Sequence, residues 1–243
     1  MYKRASRFNK SAPTAAKSPY VIFNPHSTDT AISSLNVCNT SSPWIQIAAI
    51  DPGIKNCCIR VERRTFDNDI MKVETLLQIK MDFTVKNTSD TDIGLDTIYY
   101  THTIDLLEKY IQYFITSQYI IIESQLPINY DMVRMSQHII SFLMIYTKDK
   151  GLKPLIIEID PRFKSRIFGA PLKMTKPELK KWAWEYAVKI LKDRNDNETA
   201  NMILSSTKKD DHGDVICYTE AWWIILTNGL FSPPISANKL LKK

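Results

Sequence analysis

The sequence predicts one mixed α/β domain with the element order βββαβαβα, in which helices flank a five-stranded sheet. Two observations lead to this prediction. Three strand-like segments precede the first segment with helical spacing, and short β-branched runs then alternate with longer amphipathic ones. A meander followed by strand–helix units requires a sheet with both antiparallel and parallel pairs, so the sheet should be mixed.

Each element follows from its own pattern. Residues 45–50 are a short apolar strand, and residues 57–64 alternate in polarity, which is typical of a half-buried strand with Arg60 and Glu62 on its polar side. Residues 71–83 complete an antiparallel meander. The elements predicted after it are helix 97–114, strand 118–122, helix 131–148, strand 155–159 and helices 176–193, 198–205 and 211–226.

The folded domain is predicted to cover residues 44–230, between two extensions. Residues 1–43 are rich in Ser, Thr, Asn, Ala and Pro, carry five basic side chains and one acid, and are predicted to be a flexible basic N-terminal extension. A second interpretation of the first 28 residues, which lack acids, is a mitochondrial targeting segment. Gly229 and the Pro233–Pro234 pair end the last helix, so residues 231–243 are predicted to be a C-terminal tail.

Composition excludes several classes of protein. No apolar run approaches the roughly 18–20 residues of a membrane span, and no secretory signal is present, so an intracellular protein without membrane association is predicted. The four cysteines contain no C-x-x-C pair, which argues against a zinc site. The net charge of +6 is compatible with a nucleic-acid partner without requiring one.

Four acidic residues stand where a carboxylate is costly. Asp51 and Glu123 each end an apolar strand, and Asp211 and Asp214 lie one turn apart at the start of an apolar helix. Burying a carboxylate is unfavourable unless a cation or donor compensates it, and converging carboxylates also repel one another. Divalent metal ions relieve both costs, and paired ions held by carboxylates promote phosphodiester hydrolysis. The pattern therefore predicts a metal-dependent nuclease.

Each of these acids has an ordinary explanation when taken alone. Asp51-Pro52-Gly53 is also a turn signal, and acids at a helix N-terminus are favoured by the helix dipole. The pair at the helix start is also open, because Asp210 with Asp214 is an alternative to Asp211 with Asp214. The prediction depends on the four acids occurring together at the ends of buried elements.

Three segments resemble the acidic motifs of a known family. Residues 47–56, 120–125 and 208–214 are similar, in order, to the motifs of RuvC-like Holliday junction resolvases, most of all to the mitochondrial and large-DNA-virus branch. The resemblance spans about residues 45–228 and implies an RNase H-like fold. It also implies a homodimeric, Mg²⁺-dependent endonuclease, with Mn²⁺ as a substitute, that cuts four-way DNA junctions symmetrically in recombination, replication and repair. The residues carried over as catalytic metal ligands are Asp51, Glu123, Asp211 and Asp214. Val215 departs from the small residue that often follows the last acid.

Basic residues near these motifs are the predicted DNA contacts. Residues 162–168 are predicted to form a loop that places Arg162, Lys164 and Arg166 against the DNA backbone. Lys208 and Lys209 precede the third motif and are predicted to lie near the scissile phosphate. Further lysines of the same basic stretch are Lys173, Lys176, Lys180 and Lys181. The apolar helix 131–148 is either core or part of a dimer interface.

Two other functions share these features. One is a different RNase H-like nuclease that cuts RNA–DNA hybrids or flaps, since the same carboxylates serve all such enzymes. The other is a non-catalytic DNA-binding module whose acids are structural. In each case the protein is expected where its DNA lies: a viral replication compartment, the host cytoplasm or nucleus, or, alternatively, the mitochondrion.

Overall fold

The structure is a computed structural model, and it describes residues 20–23, 43–67, 70–84, 97–148 and 154–228. The strands are β1 (Tyr20–Phe23), β2 (Trp44–Asp51), β3 (Cys57–Asp67), β4 (Ile70–Met81), β5 (Tyr119–Glu123) and β6 (Leu155–Ile159). The helices are α1 (Thr97–Lys109), α2 (Ile111–Ile115), α3 (Tyr130–Thr147), α4 (Phe163–Phe168), α5 (Lys176–Asp193), α6 (Asn197–Ser205) and α7 (Lys209–Thr227).

The five predicted strands form a mixed sheet, as expected. Across the sheet the order is β1-β6-β5-β2-β3-β4. Strands β2, β3 and β4 are an antiparallel meander, whereas β5 and β6 run parallel to β2. The carboxyl ends of β2, β5 and β6 therefore lie at one edge of the sheet, which we call the carboxyl edge.

A sixth strand, β1, was not predicted. It pairs antiparallel with β6, with Tyr20 opposite Ile159 and Phe23 opposite Ile156. These four residues fall inside the predicted N-terminal extension; the rest of residues 1–42, like the predicted tail 231–243, lies outside the described residues. The run is short and has a proline on either side, so its sequence gives no indication of which strand it would join.

The sheet lies between two helical layers. Helices α1, α2 and α3 pack on one face, and α7 packs with α4 on the other. Helices α5 and α6 pack against α7 on the side away from the sheet, which explains why α7 is apolar nearly all round. None of the helices in the described ranges is long and apolar enough to cross a membrane.

Strand β3 is buried on both faces, contrary to the half-buried strand that its alternation predicts. Arg60, Glu62 and Arg64 are all fully buried beneath α7 and the turn between α5 and α6. The Glu62 carboxylate accepts from Nε of Arg60 at 2.5 Å and from Nη2 of Arg64 at 2.7 Å, while Arg194 lies 3.2 Å away. Burial alone would raise the pKa of Glu62, but the three guanidinium groups hold it well below its usual range. Polar alternation here marks an internal ion network rather than a solvent face.

Two segments differ locally from the predictions. Residues 163–168, predicted as a loop, form α4, because the Asp160 carboxylate accepts the Arg162 N–H at 2.7 Å and Gly169, at φ +67°, ends the helix. The predicted helix 97–114 is instead two helices, α1 and α2, with Tyr110 between them.

Helices α5 and α7 cross at very close range inside the third acidic motif. A Cβ added to Gly213 would lie 2.7 Å from Cα of Trp184, a distance that side chains do not tolerate. A glycine is thus required between Asp211 and Asp214 for α5 to reach the carboxylates.

Candidate metal centre

Three of the four predicted acids converge at the carboxyl edge. Asp51 ends β2 and Glu123 ends β5, and the parallel pairing of Ile50 with Ile122 brings these two carboxylates side by side. Asp214 reaches them from the first turns of α7. One ligand oxygen from each of the three lies within 4.8 Å of the others, close enough to bind a common cation.

Burial and mutual repulsion disfavour ionisation of this cluster. Burial raises the pKa of Asp51 well above its usual range, and the neighbouring Glu123 and Asp214 carboxylates raise it further. Burial also raises the pKa values of Glu123 and Asp214, although the ammonium group of Lys164 partly offsets this. A divalent cation would favour the ionised form of all three.

Asp211 and Asp210 point to different neighbours. Asp211 lines a groove together with Asp51, and its Oδ2 lies 3.7 Å from Nζ of Lys80, with no hydrogen-bond partner among the described residues. Burial raises the pKa of Asp211, and the adjacent Asp210 raises it further. Asp210 instead pairs with Lys180. The geometry thus favours Asp211 over Asp210 as the fourth acid of the site.

A buried lysine lies inside the cluster. Nζ of Lys164 is 3.0 Å from Oδ2 of Asp214, 3.9 Å from Oε2 of Glu123 and 2.8 Å from the hydroxyl of Tyr218. The Tyr218 hydroxyl in turn donates to Glu123. Burial opposes the charge of Lys164, but Asp214 and Glu123 outweigh it and raise its pKa, so the ammonium form is retained.

The sequence predictions missed both partners of the acids. Lys164 was predicted to contact the DNA backbone, yet its side chain is only 7% exposed and faces the carboxylates. Since β6 is a third parallel strand ending at the carboxyl edge, residues just after it could have been expected at the site. Tyr218 was not among the predicted site residues, although its position four residues after Asp214 places it on the same helix face.

A groove opens from the carboxylates toward solvent. The loop between β5 and α3 forms one wall, and basic side chains of α4 and α5 form the other. Its lining includes Glu123, Asp214, Gln125, Leu126, Asn129, Arg162, Lys176 and Lys180. A second groove runs past Asp51, Lys55, Asn56 and Asp211, and it shares Gln125 and Asn129 with the first. The two grooves therefore adjoin across the acidic cluster.

The other predicted DNA contacts are at the surface around this cluster. Arg162 and Arg166 have side chains 70% and 49% exposed, and both lie beside Asp160. Nζ of Lys209 sits 5.0 Å from the ring centroid of Trp184, and Lys208 is exposed. These four residues are available to a polyanion, and their contact with DNA stays a prediction.

His212 lies between the two acids of α7 but faces away from them. Its Nδ1 accepts a hydrogen bond from the side-chain amide of Gln78 at 2.9 Å, and burial lowers its pKa to about 4. The ring is therefore neutral at physiological pH and packs in the interior beside Cys58. It supports the position of α7 rather than the chemistry of the acids.

The residues present fit a hard divalent cation. Carboxylate oxygens are the ligands that Mg²⁺ and Mn²⁺ prefer. The carboxylates also carry the marks of such a site: raised pKa values and a buried Asp211 oxygen with no hydrogen-bond partner among the described residues. Asp51, Glu123 and Asp214 would hold the cation, with Asp211 at its margin.

A curated viral protein is similar to this chain over part of its length. No protein-family model matches the chain. The "Uncharacterized protein 97L" of Invertebrate iridescent virus 3 is 30% identical over 118 residues, and the match spans 49% of this chain and 54% of that protein. The chain thus covers about half the length of this curated relative.

Similar solved structures include resolvases from three sources. The Fowlpox virus resolvase with Holliday junction DNA has a TM-score of 0.47 and 16% identity, and the match covers 74% of this chain and 99% of that one. The yeast mitochondrial Holliday junction resolvase Ydc2 has a TM-score of 0.44 and 17% identity, with 82% of this chain and 89% of that one covered. Thermus thermophilus RuvC has a TM-score of 0.43 and 10% identity, with 74% of this chain and 95% of that one covered. The chain is thus similar to these proteins over most of their length, and the predicted mixed sheet with flanking helices is confirmed by its own strand pairing.

Proposed function

We propose that this protein is a metal-dependent endonuclease that cuts four-way DNA junctions. The observation that carries the proposal is the convergence of Asp51, Glu123 and Asp214 within 4.8 Å at the meeting point of two grooves. Carboxylates that are costly to bury and repel one another are maintained in a protein when they bind cations. Basic side chains along one groove wall supply the complementary surface for a phosphate backbone.

The acids and their neighbours have separate roles in this proposal. When bound, divalent cations neutralise charge developing on the phosphate and make a water nucleophilic. Glu123 is held in place by the Tyr218 hydroxyl, which fixes one carboxylate oxygen. The Lys164 ammonium lies 3.0 Å from the Asp214 carboxylate and neutralises part of the negative charge of the cluster. Tyr218 is therefore a positioning residue for Glu123.

The grooves explain how a strand would be oriented. Arg162, Lys176 and Lys180 face the groove opposite the loop that carries Gln125 and Asn129. A backbone lying along this groove would have its phosphates against the basic wall and one phosphate above the carboxylates. Lys164 also lines this groove, but its side chain is only 7% exposed and lies against Asp214, so Arg162, Lys176 and Lys180 supply the surface for the backbone.

The substrate geometry also requires a second active site. A four-way junction presents two equivalent strands, and symmetric incision calls for two sites related by a two-fold axis. The chain contains one acidic cluster among its described residues. We propose a homodimer that acts wherever branched DNA arises.

A substrate panel tests the proposed activity. The full chain is incubated with Mg²⁺ and a four-way junction, linear duplex, a flapped duplex and an RNA–DNA hybrid. We expect cleavage of the junction in preference to the other three, lost in Asp51→Asn and kept in Asp105→Asn, which removes an exposed acid of α1. Preferred cutting of the hybrid or flap would establish the alternative RNase H-like nuclease. Junction binding with no cleavage under any metal would establish the non-catalytic module.

A further inference from the structure

We propose that Lys80 is a positioning residue that holds the Asp211 carboxylate away from the metal centre until a DNA phosphate takes the place of that carboxylate. This role rests on the proposed function and deepens it, because it names how bound DNA would complete the set of metal ligands. Its basis is the position of Asp211 between Lys80 and the three converging carboxylates.

Asp211 lies beside the ligand set but outside it. The set consists of Asp51, Glu123 and Asp214, whose ligand oxygens lie within 4.8 Å of one another. Asp211 is in the first turn of α7, three residues before Asp214, so these two side chains share a helix face. Asp211 also lines a groove together with Asp51. A change of its side-chain rotamer is therefore the step that separates it from the other three acids.

Lys80 reaches Asp211 from strand β4. Asp51 on β2 pairs with Cys58 on β3, and Cys58 pairs with Lys80 on β4. Residues directly opposite on neighbouring strands point to the same face of a sheet, so all three side chains point to the face that α7 covers. With strands about 4.8 Å apart, the backbone of Lys80 lies about 10 Å from that of Asp51. Asp211 has the metal centre on one side and the ammonium of Lys80 on the other.

The contact between Lys80 and Asp211 is one that can be exchanged. Nζ of Lys80 lies 3.7 Å from Oδ2 of Asp211 and 3.5 Å from the carbonyl oxygen of Lys208. The first distance is too long for a hydrogen bond, and Oδ2 of Asp211 is buried with no hydrogen-bond partner among the described residues. The Lys80 side chain is 21% exposed. A long ion pair with partial access to solvent contributes little to stability, so another ion can replace either partner.

A DNA phosphate is the anion that would compete with Asp211 for Lys80. The groove beside Asp211 also has Lys55 and Asn56 in its lining, so a phosphate there meets a second cation and a polar side chain. A lysine ammonium binds phosphate as well as carboxylate. Once Lys80 pairs with the phosphate, Asp211 loses its counter-ion and can turn toward Asp51. Binding of DNA and of metal would then be coupled, each strengthening the other.

The first test measures Mn²⁺ binding to the full chain without DNA, from the electron paramagnetic resonance signal of free Mn²⁺. Asp51→Asn should weaken binding strongly, whereas Asp211→Asn should change the dissociation constant by less than about threefold, because Asp211 is held by Lys80. Lys80→Met should tighten binding about fivefold or more, and adding Asp211→Asn should remove most of that gain. Lys55→Met, which removes an exposed lysine of the same groove, is the control for charge and should have an effect below about twofold.

The second test repeats the comparison with DNA bound. The half-saturating Mn²⁺ concentration for cleavage should rise about tenfold or more in Asp211→Asn, in contrast to the small change without DNA. Lys80→Arg keeps the positive charge and should bind Mn²⁺ as the intact chain does when DNA is absent. The Asp211→Asn comparison needs no Lys80 variant, so it decides the matter even if Lys80→Met does not fold.

Three results would overturn the role of Lys80. Equal tightening by Lys80→Met with and without Asp211 would mean that Lys80 acts through its charge alone. Weakening by Asp211→Asn without DNA as large as that by Asp51→Asn would mean that Asp211 is already a ligand. An unchanged Mn²⁺ requirement for cleavage in Asp211→Asn would mean that Asp211 never becomes one. Each of these leaves the proposed function standing, which fails instead if Asp51→Asn does not affect Mn²⁺ binding or if the intact chain cuts no DNA; the role of Lys80 then fails with it.

Discussion

Replacing a single carboxylate of the site should abolish cleavage without destabilising the fold. Asp51→Asn, Glu123→Gln and Asp214→Asn should each lower cleavage by orders of magnitude, because losing a metal ligand removes several kcal/mol of charge stabilisation. Thermal unfolding should be little changed or shifted upward, since burial and repulsion raise the pKa values of all three. Near-normal turnover with Mg²⁺ in any variant would exclude that residue as a ligand.

The neighbours Asp210 and Asp211 form a matched pair for the fourth acid. Asp211→Asn should reduce cleavage strongly, because Asp211 lines a groove with Asp51. Asp210→Asn should have a smaller effect, since it breaks an ion pair with Lys180, whose side chain is 54% exposed. Cleavage rates measured side by side would assign the ligand, and the reverse order would assign it to Asp210.

Tyr218→Phe tests the positioning of Glu123. Loss of this hydroxyl removes the donor to Glu123 and a partner of Lys164. We expect cleavage to fall about tenfold, in line with one hydrogen bond, and the half-saturating Mn²⁺ concentration to rise. Tyr119→Phe, in the same apolar layer at the other end of β5, is the control. A reduced rate with unchanged metal affinity in Tyr218→Phe would mean that the hydroxyl does not position a ligand.

Stability without metal should depend on pH in a defined direction. The raised pKa values of Asp51, Glu123 and Asp214 mean that the folded protein binds their protons more tightly than the unfolded chain. Their stabilising contribution is complete below the ordinary pKa near 4 and is lost as pH rises through the folded values. The melting temperature relative to Asp51→Asn should therefore fall as the pH rises above about 4. Mg²⁺ should reverse the loss of stability at neutral pH. A difference in melting temperature between the two proteins that does not change with pH would contradict this prediction.

At the scale of elements, the crossing of α5 and α7 sets the position of the third motif. Gly213→Ala would force a Cβ to 2.7 Å from the backbone of Trp184, so the two helices must separate. We expect a loss of about 1–3 kcal/mol in the free energy of unfolding together with reduced cleavage. Gly169→Ala, which adds a Cβ where nothing lies within 4 Å, should destabilise through its backbone conformation alone and leave cleavage intact. Denaturant unfolding and cleavage of both variants would check this.

Elements could be predicted where local pattern and burial agree. Strands β2, β5 and β6 are largely apolar because helices cover both of their faces, and the ends of β2 and β5 identified Asp51 and Glu123. The polarity of β3 was misleading because Arg60 and Glu62 neutralise each other under α7. Pairing of that kind depends on residues far apart in the chain. Local sequence patterns therefore predict neither the ion network nor the partner strand of β1.

For the whole molecule, we expect a two-fold assembly. Sedimentation of the full chain should give a dimer, free or bound to a junction, because symmetric incision needs two acidic clusters. A mixture of intact and Asp51→Asn chains should yield junctions nicked in one strand only, from mixed dimers. A monomer in both states would contradict the homodimer and favour a single-site RNase H-like nuclease.

The most direct measurement is a map of incisions on a four-way junction with each strand end-labelled in turn. For the intact chain with Mg²⁺, we predict paired nicks at symmetry-related positions in two opposing strands, made within the lifetime of one complex. Asp51→Asn should bind the same junction and produce no nicks. Uncorrelated nicks in all strands, or equal cutting by Asp51→Asn, would contradict the claim that the carboxylates at the ends of β2 and β5 and on α7 form a junction-cutting centre.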